Sequence, residues 1–239
     1  MILVAGDSWG CGEWTGQAVS HGGLAQYLVD DGHTIINLSK PGGSNHETFD
    51  RLRSFFISNL CIQNKIKCVF AFQTEFLRDY RFFTPEELNS ELILGYQTIR
   101  DRWTARFYMD LSALSTAYNI PIYLIGGCSD TDWFEQFEIE HPGLKVVCQS
   151  MTNLLYSNSN RIDVPIYEQF IMNTKIVERI KPYCNSKDLD LLVNDLGNYN
   201  TRREQYCSMK GILFCNDQLH PNRHGHKILF DFLMTSKLL

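Results

Sequence analysis

Two short runs at opposite ends of the chain hold the residue types of nucleophilic catalysis. The first is Ile2-Leu3-Val4-Ala5-Gly6-Asp7-Ser8-Trp9-Gly10. The second is Asn216-Asp217-Gln218-Leu219-His220-Pro221-Asn222. A serine hydroxyl is a weak nucleophile until an adjacent base takes its proton, and that base works best when a third group holds its orientation. Ser8 can be the nucleophile and His220 the base. Asp217, three residues before His220, can accept from the other ring nitrogen and hold the tautomer. The chemistry such a set performs is acyl transfer. Gly, Asp and Ser are also ordinary turn residues, and Asp/His pairs arise as helix caps. Each run is therefore ambiguous by itself, and their occurrence together makes chance a poor explanation.

The surrounding residues suggest how each group is positioned. Ile2 to Ala5 are apolar throughout, as in a parallel strand buried on both faces. The strand runs into a tight turn at Gly6-Asp7-Ser8. Ligands of open α/β sheets bind outside the carboxyl ends of the strands, which is where Ser8 falls. Gly6 can adopt backbone angles that present Ser8 outward. Pro221 suits a first helical turn and would hold His220 at the helix entrance.

G-D-S-W at the N-terminus and D-x-x-H-P-N near the C-terminus resemble the first and last blocks of the SGNH (GDSL-type) hydrolase family. The blocks bracket nearly the whole chain, so the resemblance implies one domain over residues 1–239. It places a second block at Ser39-Lys40-Pro41-Gly42-Gly43-Ser44-Asn45, where a glycine N–H helps stabilise an oxyanion. Gly42 is the expected donor and Gly43 the next choice, because glycine lets the backbone approach developing charge closely. A plain Pro-Gly turn is the competing reading. The family's third block, G-x-N-D, has no counterpart. After Cys68-Val69-Phe70-Ala71-Phe72 the chain reads Gln73-Thr74-Glu75-Phe76. Thr74 or Gln73 could donate in place of the missing Asn; Thr74 is favoured. The expected oxyanion donors are thus Ser8, Gly42 and Thr74. Arg78 is expected to pair with Glu75 or Asp79 rather than bind a substrate anion.

Composition narrows the alternatives. The chain has 239 residues, 44% of them apolar, enough for one α/β domain with a substantial core. Its formal net charge is −5 and no dense Lys/Arg block occurs, which argues against a nucleic-acid partner. No apolar run reaches the length of a membrane span. The first residues do not read as a signal peptide, since Ser8 would lie inside it. Eight cysteines are present and none forms C-x-x-C. They read as reduced core residues of a cytoplasmic or otherwise reducing compartment. Cys11 could line the site. No zinc pattern is seen, and His220, His224 and His226 lack a ligand at persuasive spacing. No metal and no organic cofactor is expected.

The fold expected is a three-layer α/β/α sandwich on a mostly parallel sheet of about five strands, of the SGNH-hydrolase or flavodoxin-like kind. Strands are expected at Ile2–Ala5, Thr34–Leu38, Cys68–Phe72, Pro121–Ile125 and Gly143–Cys148. Between the first two, Trp9-Gly10-Cys11-Gly12-Glu13-Trp14 reads as a glycine-rich loop, and His21 as a loop histidine. Trp9 and Trp14 would either wall a pocket or pack on the sheet. Helices are expected over Leu24–Val29, from Ser44 or Asn45 onward, and from about Tyr96 to Tyr118 with Ile99, Trp103, Phe107, Leu111 and Leu114 inward. Residues 150–200 form a helical elaboration that could act as a lid. The last helix would bury Ile228, Leu229, Phe232 and Leu233.

The function expected is hydrolysis of a carboxylic ester through an acyl-enzyme. The substrate is a small-molecule or carbohydrate ester, with a short acyl group such as O-acetyl favoured. The alternative is a carbohydrate- or partner-binding module of the same fold with weak or no activity, for which the missing Asn is the motive. The sequence leaves the oligomeric state open.

Overall fold

In the computed structural model, five runs of sequence join into one parallel sheet. They are β1 (Ile2–Ala5), β4 (Ile35–Asn37), β5 (Cys68–Gln73), β6 (Ile122–Gly126) and β7 (Leu144–Cys148). Their spatial order is β4-β1-β5-β6-β7, and every pairing is parallel. The structure describes residues 1–15, 17–59, 63, 65–74, 78–79, 96–127, 131, 143–158, 213–215, 220–236 and 238. Asp217 and most of the 150–200 elaboration, with its suggested lid, lie outside the described residues, as does Glu75.

The sheet forms because its strands are apolar on both faces. Ile2, Val4, Cys68, Phe70 and Phe72 point to one side, and Leu3, Ala5, Val69 and Ala71 to the other. The first side is covered by α2 (Gly23–Asp30), α5 (Met151–Ser157) and α6 (Arg223–Thr235), through Leu24, Leu28, Met151, Leu155, Leu229 and Leu233. The second is covered by α3 (Asn45–Ser58) and α4 (Tyr96–Tyr118), through Leu52, Phe56, Phe107, Tyr108, Leu111 and Leu114. Helices on both faces of a parallel sheet are the expected three-layer sandwich. The five strands fall where the sequence places them. Each face is a separate cluster, because a sheet two side chains thick isolates the layers it supports.

Two departures bear on the site. Residues 8–21 are more ordered than a loop. A one-turn helix α1 (Ser8–Cys11) is followed by an antiparallel hairpin, β2 (Glu13–Thr15) and β3 (Ala18–His21). Strands of three and four residues carry too few alternating positions to show a period. Gly12 makes the link between them, with φ +117°. A Cβ there would lie 2.2 Å from the His21 carbonyl oxygen, so only glycine lets the hairpin's base close. The second departure is in α6. Phe230 is buried, whereas Phe232 is 37% exposed. Ile228 is half-buried. The inward stripe runs Gly225, His226, Leu229, Phe230, Leu233, rotated by one residue from the expected face. The cause is the tight packing of Gly225 against the Leu213 carbonyl and Leu155.

Candidate active site at the sheet's topological switch

Strand order reverses at β1, which has β4 on one side and β5 on the other. The helices that follow β1 and β5, α2 and α4, lie on opposite faces, the arrangement in which open α/β sheets hold ligands at the carboxyl ends of such strands. Ser8 follows β1 in that position and Thr74 follows β5. Gly6 shapes the first turn with φ +157°, and a Cβ there would meet the Phe72 Cβ at 2.6 Å. Two donors hold the Gly6 carbonyl: the Lys40 N–H at 3.0 Å and the Arg51 guanidinium at 2.8 Å. Arg51 also donates to the Leu38 carbonyl at 2.8 Å. One side chain of α3 thus ties the ends of β1 and β4 together.

Asp7 caps α1. Its Oδ1 accepts from the Trp9 N–H at 2.9 Å. Its Oδ2 accepts from the Thr74 hydroxyl at 2.9 Å and from Arg78 Nη1 at 3.0 Å. The carboxylate is wholly buried, and a buried charge persists only with such partners. Arg78, expected beside Glu75 or Asp79, has in Asp7 a partner that the expectation omitted, while Glu75 lies outside the described residues. A carboxylate buried as fully as that of Asp7 needs a counter-charge, and Arg78 supplies it. Asp79 accepts from the His46 N–H at 3.0 Å. Beside Asp7, burial and the Asp7 charge push the Cys11 thiol up to about 12, so Cys11 stays protonated at neutral pH.

Thr74 is 1% exposed. Asn45 grips its backbone from the start of α3. The Asn45 amide donates to the Thr74 carbonyl at 2.9 Å and its oxygen accepts from the Thr74 N–H at 2.9 Å. A hydroxyl has one proton, and that of Thr74 is directed at Asp7. Thr74 can donate to an oxyanion only by releasing that bond. Sequence reasoning considered Asn45 solely as a cap. Ser44 is the cap, with the full reciprocal box to Glu47, and Asn45 is the cross-link between the second and third loops. No local pattern signals this, because its partner is 29 residues away.

Gly42 stands at a turn closed by the Gly43 N–H on the Lys40 carbonyl at 2.9 Å, with φ +65°. Pro41 followed by a left-handed glycine has the residue pattern of a type II turn. The Pro-Gly turn expected as the competing reading is thus present. It hangs from Gly6 through Lys40, two residues before Ser8.

Ser8 opens α1 and is 6% exposed. Among the described residues its hydroxyl makes no hydrogen bond. His220 approaches from the other end of the chain. The Cys215 N–H donates to the His220 carbonyl at 2.8 Å, and the Asn222 N–H to the Leu213 carbonyl at 2.9 Å. Phe214 and Pro221 form an antiparallel bridge. Pro221 thus stands before the helix rather than in its first turn. Asn222 is the N-cap, accepting from the Gly225 N–H at 3.0 Å. Proline's restricted φ suits an extended bridge as well as a helix start. These bonds fix the His220 backbone. The side chain of Trp14 links His220 to Ser8. Its indole N–H donates to the Ser8 carbonyl at 3.1 Å. Its ring lies against the imidazole, with centroids 5.4 Å apart and planes inclined at 37°. Trp9, by contrast, is in the core, edge-on to Phe214 at 5.9 Å. Of the two tryptophans, one packs on the sheet and the other walls the site.

The remaining histidines separate. His21 accepts from the Gly23 N–H at 3.1 Å and lies against Tyr27. His224 is exposed and His226 is fully buried. Burial pushes the His226 imidazole down to about 3, so it stays neutral. Among the described residues no three His, Cys, Asp or Glu side chains cluster as metal ligands would. No helix among them is long and apolar enough to cross a membrane.

No family model matches the sequence, and no curated protein matches it. Solved structures with a similar course of chain include the crystal structure of TesA, 14% identical, covering 100% of this chain and 99% of that one with a TM-score of 0.43. The psychrotrophic esterase EstA from Pseudoalteromonas sp. is 15% identical, covering 99% and 95%, with a TM-score of 0.42. The lipase/acylhydrolase from Enterococcus faecalis is 14% identical, covering 99% and 94%, with a TM-score of 0.40.

Proposed function

We propose that the chain is a serine esterase. Ser8 attacks the ester carbonyl, and His220 takes the hydroxyl proton and returns it to the leaving alcohol. Asp217 orients His220. Water then attacks the acyl-enzyme, and His220 serves again as base, regenerating Ser8 and releasing the acid. The Ser8 and Gly42 N–H groups, with Thr74 once its hydroxyl turns from Asp7, receive the oxyanion. The substrate class is a small-molecule or carbohydrate ester with a short acyl group.

One observation carries the reading: Trp14 touches Ser8 through its N–H and His220 through its ring. Residues 8 and 220 therefore share one side chain as a neighbour. The position of Ser8 at the switch between β1 and β5 is where open α/β sheets hold ligands. The absence of a formed Ser8 bond agrees with apo sites, in which catalytic hydrogen bonds commonly tighten only when substrate arrives.

The test is turnover of p-nitrophenyl acetate by wild type and by Ser8→Ala, with a fluorophosphonate label mapped to its peptide. The expected result is hydrolysis lost in the variant and the label on Ser8. Equal rates in both proteins, or a label elsewhere, would remove the reading and favour a binding module.

A further inference from the structure

We infer that Trp14 is a positioning residue for His220, and that the β2–β3 hairpin is built to deliver it. This deepens the esterase reading and rests on it for the kinetic consequence alone. The Cys215 N–H holds the His220 backbone, and Trp14 bears on the ring itself. The Trp14 indole lies on one side of the ring at 5.4 Å and is itself pinned through its N–H to Ser8. A base in a tightly tuned site loses activity when its ring drifts by fractions of an ångström. An indole anchored to the nucleophile's own backbone fixes the base relative to that nucleophile.

Three features of the hairpin serve this placement. The register shifts between Glu13 and Trp14. Such a bulge breaks the alternation that would send neighbouring side chains to opposite faces. Glu13 and Trp14 accordingly both reach the His220 end of α6. Glu13 accepts from the Arg223 N–H at 2.8 Å and from Arg223 Nε at 2.8 Å, three residues beyond His220. Burial raises the Glu13 carboxyl, but the hydrogen bonds from Arg223 outweigh it and hold the group below its ordinary value. The hairpin is thus latched to the helix that follows the His loop. The close contact of Gly12 with His21 and Gly23 fixes the hairpin's base. Trp14 is only half-buried, while the core has its own tryptophan in Trp9, so packing alone does not account for it.

The test combines NMR of histidine-labelled protein with kinetics on p-nitrophenyl acetate, in wild type, Trp14→Leu and Trp14→Phe. His220→Gln assigns the His220 ring signal. Trp14→Leu removes the ring current, so the His220 Cε1–H signal should move while that of His33 stays. In Trp14→Leu, kcat should fall about tenfold or more with KM held within about twofold. Trp14→Phe keeps a ring against the imidazole but lacks the N–H that holds the Ser8 carbonyl, so its kcat should fall between those of Trp14→Leu and wild type. An unmoved His220 signal in Trp14→Leu overturns the inference, whatever the activity. So does a moved signal with equal kcat in all three proteins. If the signal moves but wild type shows no turnover and no Ser8 labelling, the contact stands and the esterase reading is what fails.

Discussion

Asp7 is the residue on which the local electrostatics turn. A carboxylate with no solvent exposure is sustained by the Trp9 N–H, the Thr74 hydroxyl and Arg78. Thr74→Val removes one donor and leaves a buried acceptor short. It should cost about 1–3 kcal/mol, read from urea unfolding, with Thr74→Ser restoring most of it. His226 makes the opposite kind of contribution. Its value in the folded chain is about 3, against about 6.5 when unfolded. Between those values the unfolded chain binds a proton that the folded chain refuses, so stability rises with pH across that window. This contribution is fully present above the unfolded value and is lost as pH falls toward the folded one. The slope from this group approaches roughly 1.4 kcal/mol per pH unit. In His226→Leu the drop in unfolding free energy between about pH 7 and pH 5 should be smaller than in wild type. An equal drop would mean that the imidazole is reached by water.

At the scale of elements, the hairpin and the His loop are joined across the whole sequence by Glu13 and Arg223. Glu13 has its folded value depressed, so the latch is closed above the ordinary glutamate value, ~4.3. It opens as pH falls through the lowered one. Glu13→Gln should therefore speed amide hydrogen exchange in β2 and β3 at neutral pH, with the difference vanishing once Glu13 is protonated in wild type. Exchange that matches wild type at neutral pH would show that Gly12 and the Trp14 contact hold the hairpin unaided. The Asn45 cross-link acts similarly between the end of β5 and the start of α3. Asn45→Ala would remove both of these bonds to the buried Thr74 backbone and should cost about 1–3 kcal/mol for each group it leaves unsatisfied, read from urea unfolding.

At the scale of the molecule, the two clusters lie on opposite faces of one sheet and share its strands. Leu229 on one face and Leu111 on the other are both fully buried. Either Leu→Ala change should cost about 2–5 kcal/mol. Because β1 and β5 contribute alternate residues to both clusters, loss of one face should unfold the other. Each variant should show a single transition at which near-UV and far-UV circular dichroism coincide. Two separated transitions would mean that the layers are independent.

Much of this architecture was legible in the residues themselves. Ile2–Ala5 and Cys68–Phe72 are apolar without a break, and only a strand buried on both faces suits that. The stripe through Ile99, Phe107, Leu111 and Leu114 has one helical reading. Ser44 or Asn45 marks the start of a helix. Ser8 and His220 stood out because their residue types demand partners. These signals are local, and each is complete within one element of the chain. What the tertiary structure alone decided is which distant groups meet. The partner of Arg78 is Asp7, the partner of Asn45 is Thr74, and Trp14 joins Ser8 to His220. The strands β2 and β3 also escaped, since three and four residues with no unbroken apolar run among them display no strand signal. The physical reason is common to all of these. Hydrophobic periodicity and capping act over one or two turns of chain, whereas the burial of a charge or an amide is resolved by whatever the completed fold brings beside it.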